Sequence, residues 1–314
     1  MENSVALRKK GKWIKALKKN LFVYSLIIYP IFLWIIFYVI TNFNSIILAF
    51  QKIDGTGKSF YGLNNFKLFL QDTLQEESIL NYALINSLKF YFVELIICLP
   101  LNIIFSYLLF KKCFLNKAVS FLIMLPSIMS GLVISLIFIN FIGSSGPFTW
   151  IVEQFNINGG EWFSLLYTKE YALNTCIFYS IWLSFTLNLI IYPNAMRAIE
   201  PSILESARID GVTNMFQELW WIIIPLIYPT ITTFLILGVS GIFSATGPLI
   251  AFYDTNAPDE VYTMGYYFTR QVLVDSNEFS YPKYAAGGLI LTLVSAPLTL
   301  FVKWILEKFE PTAE

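Results

Sequence analysis

The chain has 314 residues, of which 56% are hydrophobic and 13% charged, with no formal net charge and a mean hydropathy of +0.63. Soluble domains carry about one quarter charged residues, so this balance points to an all-α polytopic membrane protein. With no histidine in the chain, imidazole bases and His-ligated metals or haem are excluded, and Cys98, Cys113 and Cys176 lack Cys-x-x-Cys spacing or the pattern of a disulfide framework.

A hydrocarbon core about 30 Å thick takes roughly 20 apolar residues of helix to cross. Six runs meet that length, at Leu21–Thr41, Leu84–Phe110, Ala118–Ile142, Leu173–Ala195, Leu226–Ile250 and Tyr284–Leu306. Backbone amides and carbonyls find no partners in lipid, so each run must close its own hydrogen bonds as a helix. Pro100, Pro126, Pro193 and Pro297 lie in or near these runs and are expected to mark kinks or ends.

Residues 1–20 form a basic segment carrying Arg8, Lys9, Lys10, Lys12, Lys15, Lys18 and Lys19, expected to lie against anionic headgroups. The run that follows is too long for a signal peptide and lacks a small-residue cleavage site, so it reads as a retained first span within a transmembrane domain of residues 21–314. With six spans, the basic segment shares its side with Lys111, Lys112, Lys117, Arg197, Arg208, Lys303 and Lys308. The other side has about half as many basic residues, which places both termini in the cytoplasm.

The first outer connection, Gln51–Asn81, contains Gly55-Thr56-Gly57-Lys58-Ser59. Its last three residues match the end of a phosphate-binding loop, but Lys52 stands where that loop needs its first glycine. An exposed turn is the expected reading, and the chain is not expected to hydrolyse ATP. Tyr61-Gly62-Leu63-Asn64-Asn65-Phe66 follows in the same connection.

In the second run Glu94 is the one acid deep in apolar sequence, facing a cavity or pairing with Lys89. Intramembrane polar residues are costly and therefore candidate substrate contacts, although interhelical packing explains many of them. Ser180, Ser184 and Asn188 fall at i, i+4 and i+8 on the fourth run, and Ser240 and Ser244 make a shorter stripe on the fifth. Tyr179, Trp182 and Phe243 are aromatics whose ring faces could stack on a solute.

Between the fourth and fifth runs, residues 196–225 form a polar stretch containing Glu205-Ser206-Ala207-Arg208-Ile209-Asp210-Gly211 and ending at Pro225. Pro201 suits the first turn of a helix, and Gly211 permits a positive-φ stop after Asp210. Ile203, Leu204 and Ala207 are expected on one face, with Glu205, Arg208 and Glu218 left to solvent or a partner. Trp220 and Trp221 fit an interfacial aromatic belt.

This stretch resembles the EAA loop of permease subunits from binding-protein-dependent ABC importers, with Ser206 in place of an alanine and a Gly211-to-Pro225 spacing about one residue longer than the pattern. Tyr61–Phe66 is similar to a stretch of sugar-importer permeases. The resemblance implies a type I importer architecture in which Glu205, Ser206, Ala207, Asp210, Gly211 and Pro225 form the coupling element to an ATPase. It implies as partners a second, different permease chain, two nucleotide-binding subunits and an extracytoplasmic solute-binding protein, in membrane lipid and without nucleic acid. ATP and magnesium would be held by the ATPase subunits, leaving this chain without a cofactor or metal. The implied cargo is a sugar or oligosaccharide, the pathway falling on the fourth- and fifth-run stripes. A non-sugar solute (amino acid, phosphate ester or peptide) and a secondary transporter remain alternatives.

Overall fold

The computed structural model describes residues 20–311 except 22, 56, 113–115, 158–160 and 276. Cys113 and the basic residues from Arg8 to Lys19 therefore lie outside the described residues. Among the described residues, six helices are long and apolar enough to cross a membrane: Val23–Ala49, Ile79–Phe110, Gly131–Gln154, Lys169–Arg197, Met215–Gly241 and Glu278–Lys308, here numbered spans 1 to 6. The chain divides into two compact units, one of residues 1–68 with 278–289 and the other of residues 69–277 with 290–314.

Two boundaries depart from the apolar runs. The expected third run is broken at Met129 and Ser130, where Ser130 adopts φ −60° and ψ 138° before the helix Gly131–Ile142. That helix turns at 143–146 and continues as Pro147–Gln154. The preceding helix, Asn116–Ile128, carries Pro126 near its end and packs along span 4. Span 5 starts at Met215, well before the expected Leu226, and Pro225 lies within it.

Proline is absorbed here by a wide turn. Leu219–Ile223 is π-helical, with the Ile224 N–H bonded to the Leu219 carbonyl just before Pro225. Span 2 repeats the arrangement: Glu94–Cys98 is π-helical and the Leu99 N–H reaches the Glu94 carbonyl just before Pro100. Proline has no N–H to give the carbonyl four residues back, and widening the preceding turn keeps the helix continuous. Pro193 and Pro297 also lie inside continuous helices.

In the first unit, strands β1 (Gln51–Asp54) and β2 (Gly57–Phe60) form an antiparallel hairpin in the register Gln51↔Phe60 to Asp54↔Gly57. Among the described residues this hairpin is the departure from an all-α chain. Lys58 and Ser59 stand in β2, not at the start of a helix, so the phosphate-loop geometry is absent. The Tyr61–Phe66 stretch acts as a staple. Gly62 takes φ +60°, and the buried Asn65 donates its Nδ2 to the carbonyls of Ala49 (2.9 Å) and Gln51 (2.7 Å). Phe66 packs its ring 5.1 Å from Phe50. These contacts tie the end of span 1 to the hairpin.

In the second unit, spans 2, 4 and 5 share a core of Ile103, Tyr107, Tyr192, Met196, Leu219, Ile223, Ile227 and Ile231. At the other end of these spans, Phe138, Tyr179, Trp182 and Phe252 form an aromatic cluster in which Phe138 and Phe252 stack at 5.6 Å. The segment after span 5 is pinned to span 2 by Asn86, whose Nδ2 donates to the carbonyls of Glu260 (2.7 Å) and Tyr262 (3.0 Å). The Met264 N–H donates to Ser87 Oγ at 2.9 Å beside it.

Candidate functional site

The loop between spans 4 and 5 is a short helix, Pro201–Ile209, entered through the extended Glu200 with Pro201 in its first turn. It ends in a two-bond cap: the Gly211 N–H donates to the Arg208 carbonyl (3.2 Å) and the Val212 N–H to the Ala207 carbonyl (3.0 Å). This Schellman geometry requires a left-handed residue at its centre, and Gly211 supplies it with φ +97°. Asn214 then caps span 5, its Oδ1 accepting from the Phe216 N–H at 3.0 Å.

Leu204 packs on the core of spans 2, 4 and 5, and Ala207 is buried, so these two form the inner face of the short helix. Ile203 does not join them and is exposed. Glu205, Ser206, Arg208, Asp210 and Gly211 are exposed, and Ile209 is 86% exposed. Met215 and Phe216 add further exposed apolar surface across the turn, and Phe216 stacks on Trp220 at 6.1 Å. A rigid, capped helix thus presents carboxylates and bare apolar side chains together.

Glu218 corrects one expectation. It is not offered to solvent but is 7% exposed and forms an ion pair with Lys111 at the end of span 2. The Lys111 ammonium also lies over the Tyr107 and Phe110 rings, at 5.6 and 5.9 Å from their centroids. Pro225, expected to close the loop, is half-buried inside span 5.

Spans 2, 4 and 5 also enclose two adjoining cavities of about 270 and 230 Å³, which share Tyr91, Glu94, Leu237 and Gly238. Each alone is smaller than the roughly 300 Å³ at which ligand sites begin. Ser180 of span 4 lines the larger, and Asn188 and Tyr192 line the smaller. Ser184, the middle of the predicted stripe, bonds within the protein instead: its Oγ donates to the Ile181 carbonyl at 2.8 Å and receives a long 3.4 Å contact from Asn102 Nδ2. That Asn102–Ser184 contact joins spans 2 and 4.

Other predicted pathway residues sit elsewhere. Tyr179 is buried in the aromatic cluster, with its hydroxyl 2.9 Å from Ser135 Oγ, and Trp182 packs against Phe138 there. Ser240 and Ser244 return their hydroxyls to the Leu237 and Gly241 carbonyls, and neither they nor Phe243 line the cavities. The fifth-span wall is instead Leu237, Gly238 and Gly241, with Ala245 just after the span. Sequence reasoning offered Glu94 as a cavity-facing residue but missed the rest of the second-span wall. Ser87, Tyr91, Glu94 and Cys98 line the larger cavity, and their i, i+4, i+7 and i+11 spacing is a helical stripe that could have been read. Lys89 lines a separate apolar groove with Ile85, Phe92 and Ile96, away from Glu94.

Residues 103–314 match the family model described as "Binding-protein-dependent transport system inner membrane component". Among curated proteins, the chain is 28% identical to the polygalacturonan/rhamnogalacturonan transport system permease protein YteP of Bacillus subtilis (strain 168), over 80% of this chain and 79% of that protein. It is 22% identical to the multiple sugar-binding transport system permease protein MsmF of Streptococcus mutans, over 91% of this chain and 96% of that one. Among solved structures, a chain of a bacterial ABC transporter involved in import of the acidic polysaccharide alginate superposes with a TM-score of 0.79 at 20% identity, covering 96% of this chain and all of that one.

Proposed function

Because the chain belongs to the binding-protein-dependent transport system inner membrane component family, and is thus a multi-pass transport subunit and not an enzyme, we propose that its cargo is a sugar or oligosaccharide. The observation that carries the reading is the joining of two features by the same spans. Spans 4 and 5 flank the exposed helix Pro201–Ile209 at one end and line mainly apolar cavities along their length, into which span 4 sets Ser180, Asn188 and Tyr192. The names of the relatives support a carbohydrate: one is a polygalacturonan/rhamnogalacturonan permease and another a multiple-sugar permease.

In this reading both termini and the loop face the cytoplasm. Glu205, Ser206, Ala207, Asp210 and Gly211 seat the helix on a nucleotide-binding subunit, and a second permease chain completes the pathway. A solute-binding protein delivers the sugar from outside. Support for that step comes from a similar bacterial alginate ABC transporter, solved in complex with its alginate pentasaccharide-bound periplasmic protein. ATP and magnesium belong to the ATPase subunits, and this chain holds no cofactor. Closure of the ATPase pair moves the seated helix, and the rigid Schellman cap passes that displacement into span 5.

Two measurements test this. Co-expressed and purified with the ATPase subunits of its own organism's sugar importers, the wild-type chain should retain one of them, and Glu205→Lys should lose sugar-stimulated ATP hydrolysis while still inserting. Asn188→Leu should lower oligosaccharide uptake with the assembly intact. Failure to retain any ATPase, or wild-type stimulation in Glu205→Lys, refutes the coupling role.

A further inference from the structure

Glu94 is the single charged side chain among the described residues that line the two cavities. Its π-helical turn in span 2 carries it into the space the cavities share, next to Tyr91 and opposite Gly238. The remaining polar lining is uncharged: Ser87, Cys98, Ser180 and Thr263 on one side, Asn188 and Tyr192 on the other. Among the described residues no lysine or arginine lines either space, and Lys89, nearest in sequence, belongs to another groove.

That distribution discriminates by charge. A carboxylate accepts up to about four hydrogen bonds, so Glu94 has capacity for sugar hydroxyls in the space the two cavities share. Tyr91 and Tyr192 add phenol rings that can lie against a pyranose face. A uronate in the same space brings a second carboxylate towards the first with no cation between them, in surroundings far less polar than water.

We propose that Glu94 is the charge filter of this pathway, so that the cargo is an uncharged oligosaccharide and uronate chains are rejected. The inference rests on the sugar reading above. It separates this chain from the similar alginate transporter, which is involved in the import of an acidic polysaccharide, and from the 28% identical polygalacturonan/rhamnogalacturonan permease, whose named cargo contains galacturonate.

The test is native mass spectrometry of the purified transporter, assembled with its permease and ATPase partners. The probe is an equimolar mixture of maltotetraose, arabinotetraose, tetragalacturonate and tetramannuronate. Wild type should carry neutral adducts over uronate adducts by about tenfold or more. Glu94→Gln should bring that ratio to within about twofold, and Asn188→Asp, which puts a second acid on the adjoining wall, should widen it. Uronate adducts equal to neutral ones in wild type, or a ratio that neither variant moves, overturns the charge filter and leaves the sugar reading standing. Absence of every adduct from wild type overturns both.

Discussion

Lys111 and Glu218 form a largely buried ion pair that clamps the end of span 2 to the first turn of span 5. The glutamate is almost wholly enclosed, and the lysine is flanked by the Tyr107 and Phe110 rings. Removing one partner leaves the other charge stranded, which costs about 3 kcal/mol at such a site. Glu218→Ala is therefore expected to lower the thermal unfolding midpoint of the detergent-purified protein well below wild type. Lys111→Met with Glu218→Leu should recover most of that loss, because an apolar pair of similar volume needs no desolvation. A double variant as unstable as the single would show that the pair is not the source of the stability.

Gly211 is held by conformation rather than by space. A Cβ built there meets nothing within 4 Å, yet its φ of +97° is strained for any L side chain. Gly211→Val should cost about 1–2 kcal/mol locally and loosen the cap that fixes the short helix. The expected signature is faster hydrogen exchange at the Gly211 and Val212 amides and loss of sugar-stimulated ATP hydrolysis, with membrane insertion unchanged. Gly211→Asn, which tolerates the left-handed region better, should keep more of both. Equal effects of Val and Asn would mean that the turn's conformation does not matter.

The number of spans was legible because period-3.6 apolar runs of this length have no other stable solution in lipid. Gly211 and Pro201 were legible for the same kind of reason, each having one strong backbone preference. What failed was anything that depended on a neighbour. Tyr179, Ser180 and Ser184 share one helix, but only the packing of Phe138 and Phe252 against Tyr179 decides that Tyr179 belongs to the aromatic cluster while Ser180 meets the cavity. Glu218 read as a solvated charge because Lys111 lies more than a hundred residues away in sequence. Pro225 read as a boundary because a π-turn that absorbs a proline leaves no mark in composition.

Glu260, in the connection after span 5, meets Lys169 at the start of span 4 at 2.7 Å, and its backbone carbonyl holds Asn86. The hydrogen bond from the Lys169 ammonium, followed by one from its own backbone, holds the Glu260 carboxyl below the usual carboxylate range. A carboxyl depressed on folding contributes stability that is complete above its unfolded pKa of about 4.3 and is lost as pH falls through the lower folded value. The unfolding midpoint of wild type should thus exceed that of Glu260→Gln by a constant amount from neutrality down to about pH 4.3, and the two should converge below it. A gap that persists at pH 2 would assign the effect to packing instead of charge.

Gly238 offers the most direct probe of the cavities, since it lines both and faces the Tyr91 ring. A Cβ at that position would sit 3.5 Å from the ring, an ordinary contact, so Gly238→Ala should fold normally and transport at a rate within about twofold of wild type. Gly238→Leu would project a branched side chain into the space shared with Glu94. Its expected phenotype is loss of oligosaccharide uptake with the ATPase subunits still bound. Gly265 provides the contrast, because its Cβ would stand 2.4 Å from the Ser244 carbonyl oxygen and 2.6 Å from the Ala245 backbone. No flexible side chain can yield there, so Gly265→Ala should destabilise by about 1–3 kcal/mol and show as reduced yield of folded protein. The two glycines are small for different reasons: one leaves room for cargo and the other lets two backbone segments touch. Normal uptake in Gly238→Leu would remove these cavities from the pathway.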